Sequence, residues 1–150
     1  KIMTDKVIHI MLVEDDEIDV MNVKRAFKKN NVINPLNMAE NGFEALKMLR
    51  QMKEEGSVLP KIILLDLNMP MMGGIEFLNH LRADDALRDI SVFVMTTSNE
   101  EYDKVQAYKL NVAGYILKPL SIEQFIHAVS TLKSYWTLCE YPENSHLIIN

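Results

Sequence analysis

The sequence predicts an α/β fold: a doubly wound parallel sheet with helices on both faces. Three observations predict it. Strand-like and helix-like segments alternate five times along a chain of 150 residues, a length suited to one domain. The run Ile62–Leu65 (IILL) is apolar without alternation, as in a strand covered on both faces. Gly and Pro punctuate the joints, as at Gly56, Pro60, Pro70 and Gly73-Gly74. A regular βα alternation with right-handed crossovers then brings all strand C-termini to one edge of the sheet.

The elements follow in order. Val7–Val13 reads as an apolar strand, and Glu17–Asn30 as a helix with Val20, Val23 and Phe27 on one stripe. Pro35–Ala39 is a weak strand. Phe43–Lys53 is a helix with Ala45, Leu46, Leu49 and Met52 in phase. Lys61–Leu65 is the buried strand, followed by a helix at Gly74–Arg82 that turns Ile75, Leu78 and Leu81 inward. Ile90–Met95 is the fourth strand, Glu100–Asn111 a less clearly amphipathic helix, and Ala113–Leu117 the fifth strand. Ser121–Trp136 is the clearest helix. Ser121 suits its N-cap, and Ile122, Phe125, Ile126, Val129, Leu132 and Trp136 form its stripe.

Composition excludes several function classes. The net charge of −5 argues against a nucleic-acid surface. The Lys24-Arg25 and Lys28-Lys29 cluster reads as a solvated helix face. One cysteine permits no intramolecular disulfide and suits a cytoplasmic location. No apolar run reaches the roughly 18 residues of a membrane span, and no signal peptide is visible. The four histidines are scattered without ligand spacing.

The chemistry gathers at the strand ends. Strand one runs into Glu14-Asp15-Asp16, strand three into Asp66, strand four into Thr96-Thr97-Ser98, and strand five into Lys118-Pro119. In a sheet of order 2-1-3-4-5 these ends are neighbours, and ligands bind at that edge. Carboxylates crowded together repel and need a cation. An all-oxygen set with open positions suits Mg²⁺. Lys118 adds a second positive point and Thr96 a hydroxyl, a kit that fits a transferring phosphoryl group with Asp66 as nucleophile. Each feature alone has a plainer reading: acids at a helix entry favoured by the dipole, or Asp66 capping a turn. Their conjunction, one per strand at one edge, points to a site.

These motifs resemble the receiver domain of two-component response regulators. MLVEDD (11–16), LLDLNMPMMGG (64–74), FVMTTS (93–98) and AGYILKP (113–119) carry the resemblance, in order, over residues 6–135. It implies a flavodoxin-like (βα)5 sheet and a phosphoacceptor at Asp66. It implies an Mg²⁺ site from Glu14, Asp15, Asp66 and the Asn68 backbone carbonyl, a switch pair Thr96 and Tyr115, and a phosphoryl-binding Lys118. It also implies a cis bond at Lys118–Pro119. Thr97 stands where many members carry a smaller residue. Within the family the chain is most similar to stand-alone regulators paired with bacterial phytochromes. The acid run EDDEID (14–19), an extended loop over Gln51–Pro60 and the tail YWTLCEYP (135–142) suggest this.

The resemblance implies a signalling switch and not an enzyme. A sensor histidine kinase, phytochrome-like, phosphorylates Asp66, and helix four, strand five and helix five are remodelled for a downstream protein or phosphotransfer partner. A relay intermediate is the alternative. An aspartyl-nucleophile phosphohydrolase would place a second Asp two residues after the first, where this chain has Asn68. A flavin carrier would need a phosphate loop where Glu14–Glu17 stands. Residues 136–150 read as a tail with no output domain. The aromatics Tyr135, Trp136 and Tyr141 either close the core or join two copies. A homodimer could equally use the helix-four, strand-five and helix-five face.

Overall fold

The computed structural model describes residues 7–118 and 120–142. Five strands and five helices alternate: β1 Ile10–Val13, α1 Glu17–Lys29, β2 Leu36–Ala39, α2 Gly42–Glu55, β3 Ile62–Leu65, α3 Gly74–Ala83, β4 Ser91–Thr96, α4 Glu101–Lys109, β5 Gly114–Leu117 and α5 Ile122–Leu138. The strands form one parallel sheet of order β2-β1-β3-β4-β5. This is the predicted flavodoxin-like architecture. The Lys118–Pro119 bond, expected to be cis, involves position 119 and lies outside the described residues.

The alternation of strand side chains divides the interior into two layers. Met11, Val13, Ile63, Leu65, Val92 and Val94 face one side, packed on Leu46, Leu49, Phe77, Leu78 and Leu81 of α2 and α3. Ile10, Leu12, Ile62, Leu64 and Met95 face the other, packed on Val23, Phe27, Phe125, Val129 and Leu132 of α1 and α5. All four residues of β3 are buried. Full burial of one such side chain stabilises by about 2 kcal/mol. That double-sided coverage is why the run lacks alternation.

Caps fix the helix ends. Asp16 Oδ1 accepts the N–H groups of Ile18 at 2.8 Å and Asp19 at 3.2 Å, starting α1. Ser121 and Gln124 form a reciprocal capping box on α5. Gly56, at φ 71°, closes α2 in the left-handed region. The extended loop expected over Gln51–Pro60 is therefore shorter: α2 continues through Glu55, because the chain stays helical until that glycine. Of the C-terminal aromatics, Trp136 joins the core. Trp136 is buried edge-on to Phe27, with ring centroids 6.4 Å apart, while Tyr135 leans on Phe93 and stays half exposed.

Arg82 ties three segments together. Its guanidinium donates to the carbonyls of Leu110, Arg88 and Ile90 at 2.7 Å each, and to Asn111 at 3.1 Å. The planar fork joins the end of α3, the entry to β4 and the α4–β5 turn. Arg82→Ala is expected to lower unfolding free energy by about 3 kcal/mol, since several carbonyls lose a charged donor at once. Urea denaturation measures this, and a loss below about 1 kcal/mol would show that water replaces the clamp.

Candidate functional site

The C-terminal ends of β1 and β3 lie side by side, because Val13 pairs with Leu65. Each runs straight into an acid. Glu14 N–H donates to Ala39 O and Asp66 N–H to Val13 O, so the sheet itself positions both residues. Glu14 and Asp66 are buried and Asp15 is exposed. One carboxylate oxygen from each lies within 4.8 Å of the others. Among the described residues no other cluster of three potential ligands occurs. An all-oxygen set of this spacing, closed on the protein side and open at Asp15, can bind a hard divalent cation.

Lys118 meets the acids from β5. Its Nζ is buried and donates to Asp19 Oδ2 at 2.6 Å and to Glu14 Oε1 at 2.8 Å, and it stands 3.9 Å from Asp66 Oδ2. Burial opposes the ammonium. The hydrogen bonds to Asp19 and Glu14 and the charge of Asp66 outweigh it, so the lysine pKa lies above its ordinary value. Glu14 behaves differently. Burial raises its pKa to about 7, the Lys118 hydrogen bond pulls down, and the charge of Asp66 pushes up again.

This has a signed consequence. A carboxyl whose folded pKa is raised from 4.5 to about 7 favours the folded state most below 4.5, and that contribution is lost as pH rises through 7. On the order of 3 kcal/mol is at stake in Glu14 alone. A divalent cation needs the deprotonated carboxylate. We therefore expect Mg²⁺ affinity, measured by calorimetry, to strengthen as pH rises through 7, with proton uptake into buffer on the acid side. An affinity flat across this range would contradict the raised Glu14 pKa.

The other predicted residues fall into two groups. Asp66 Oδ1 accepts the N–H groups of Leu67 at 2.8 Å and Asn68 at 3.4 Å, which orients the carboxylate. Asn68 is exposed beside it. Thr96, at the end of β4, is fully buried, and its hydroxyl oxygen accepts Ser98 N–H at 3.3 Å. The Tyr115 hydroxyl donates to Ser98 O at 2.9 Å. Burial, and then the charges of Asp103 and Asp66, keep this phenol above its ordinary pKa, so it stays a donor. Thr97 is exposed. Sequence reasoning missed Asp103, whose Oδ2 accepts the Ser98 hydroxyl at 2.6 Å and fastens the β4–α4 loop to α4. It also left Asp19 undistinguished within the acid run.

Residues 10–130 match the family model of the response regulator receiver domain. The chain belongs to this family. Proteins similar to it include the probable methanogenesis regulatory protein FilR2 of Methanothrix harundinacea, 37% identical over 85% of this chain and 82% of that protein. Response regulator Rcp1 of Synechocystis is 34% identical over 85% of this chain and 87% of Rcp1. A crystal structure of Rcp1 in its Mn²⁺-bound form superposes with a TM-score of 0.75, at 31% identity over 90% of this chain and 98% of that one. The phosphorylated cyanobacterial phytochrome response regulator RcpA superposes with a TM-score of 0.82, at 31% identity over 93% of this chain and all of that one. Rcp1 thus binds a divalent metal, and the acidic cluster of this receiver offers a ligand set for one. No helix among the described residues is long and apolar enough to cross a membrane.

Proposed function

We propose that this receiver domain accepts a phosphoryl group on Asp66 from the phosphohistidine of a sensor kinase. The observation that carries the reading is the placement of Lys118 Nζ 3.9 Å from Asp66 within a cluster of three carboxylates. Glu14, Asp15, Asp66 and the Asn68 carbonyl are the residues to hold Mg²⁺, which would neutralise the developing charge on the phosphoryl oxygens. Asp66 Oδ attacks phosphorus, the P–N bond to the kinase imidazole breaks, and that nitrogen takes up a proton. The product is an aspartyl phosphate. Lys118 donates to one phosphoryl oxygen and the Thr96 hydroxyl to another. Moving Thr96 withdraws the acceptor from Ser98 N–H and so loosens the loop that Tyr115 and Asp103 fasten.

The signal would leave through α4, β5 and α5. Tyr102, Val105, Tyr108, Leu117 and Tyr135 are exposed there, a surface suited to a downstream protein, a relay partner or a second copy. The likeness to RcpA supports a phytochrome-type kinase upstream. The test uses a small acyl phosphate with Mg²⁺. The protein should gain one phosphoryl mass, and borohydride reduction should convert Asp66 to homoserine. A modified peptide elsewhere would refute the assignment.

A further inference from the structure

Asp19 has no role in the reading above, yet its contact to Lys118 is the shortest that the ammonium makes. It occupies the third position of α1. An acid there ordinarily folds back to the N-cap N–H. In this chain the Asp16 N–H is already taken by Glu14 Oε2 at 3.1 Å. Asp19 is thereby released to reach across to β5. Its side chain is 21% exposed, against 3% for Lys118, so the pair sits at the rim of the site.

An ammonium has three protons. Lys118 spends two on Asp19 and Glu14, and Asp66 Oδ2 at 3.9 Å is beyond hydrogen-bond reach. Glu14 belongs to the carboxylate cluster, so a bound cation competes for it. Asp19 lies outside that cluster and keeps its hold. We infer that Asp19 is a counter-ion that holds Lys118 away from Asp66 and must release it before the lysine can reach a phosphoryl group there. Asp19 is a positioning residue, acting through Lys118. It sets how tightly the phosphorylated state is held, and with it the balance between the resting and active forms. This inference rests on the phosphoacceptor reading of Asp66.

The probe is beryllofluoride with Mg²⁺, a non-covalent analogue of the phosphoryl group. Asp19→Asn should bind it about fivefold more tightly than wild type, the scale of one partly exposed ion pair. Glu17→Gln, which removes the same charge from an exposed residue nearby, should change affinity by less than about twofold. A second readout uses metal-free protein: the Lys118 ¹⁵Nζ resonance should shift in Asp19→Asn and stay in place in Glu17→Gln. Unchanged or weaker beryllofluoride binding by Asp19→Asn overturns the inference, as does an equal gain in Glu17→Gln. Wild-type binding that survives Asp66→Asn, or no wild-type binding at all, removes the phosphoacceptor reading and this inference with it. Asp66-dependent wild-type binding with an unaltered Asp19→Asn removes only the role of Asp19.

Discussion

Asp66→Asn is expected to take up no phosphoryl group from a small acyl phosphate and yet to fold normally. The amide keeps an oxygen to accept the Leu67 N–H but has no anionic oxygen to attack phosphorus. Its effects on metal and on stability should diverge. Losing one of the three carboxylates of the cluster should weaken Mg²⁺ binding by about tenfold or more. Metal-free stability should hold or rise, because the charge of Asp66 is one cause of the raised Glu14 pKa, and Lys118 retains Glu14 and Asp19 as partners. Intact mass, calorimetry and thermal unfolding read the three quantities separately. A variant that still gained a phosphoryl mass would remove Asp66 from the mechanism. A variant that was strongly destabilised would mean that Asp66 serves the fold more than the site.

Gly74→Ala should be the costliest small substitution at the site. A Cβ there would stand 2.6 Å from Asp66 O, 2.6 Å from Leu67 Cδ2 and 2.7 Å from Leu67 Cα. Two of these are backbone atoms of the segment that carries Asp66, so relief requires moving the segment. The first turn of α3 is also pinned there, since Gly74 N–H donates to Leu67 O at 2.9 Å. We expect a loss of about 3 kcal/mol in urea unfolding, together with slower phosphoryl uptake as Asp66 is displaced. Gly73→Ala is the natural comparison. Its Cβ would meet only Leu67 O, at 3.1 Å, and should cost less. Equal costs for the two would mean that backbone freedom, and not the close approach, explains the pair.

Much of this was legible in the sequence, for identifiable reasons. The buried run Ile62–Leu65 is apolar because both of its faces are covered, and that property survives without coordinates. Glu14, Asp66, Thr96 and Lys118 could be gathered because parallel topology alone brings their strand ends together. The partners of Lys118 could not be ranked. Asp19 looks like any first-turn acid until the Asp16 N–H is seen to be occupied. Arg82 reads as a cation favouring a helix C-terminus, and nothing local announces carbonyl partners as far away as Asn111. The helix α4 was weakly patterned because only Ala107 along it is buried.

That thin burial gives α4 an uneven mechanical footing. Its C-terminal end is gripped by Arg82, through the carbonyls of Leu110 and Asn111. Its N-terminal end is fastened through Ser98, whose hydroxyl donates to Asp103 at 2.6 Å and accepts the Glu100 N–H at 3.4 Å, beside the Thr96 hydroxyl. A rod clamped at one end and latched at the other pivots when the latch opens. A small displacement near Thr96 would then swing the latched end, with Arg82 as its fulcrum. The greatest travel would fall at Tyr102, at the free end, and the least near Lys109.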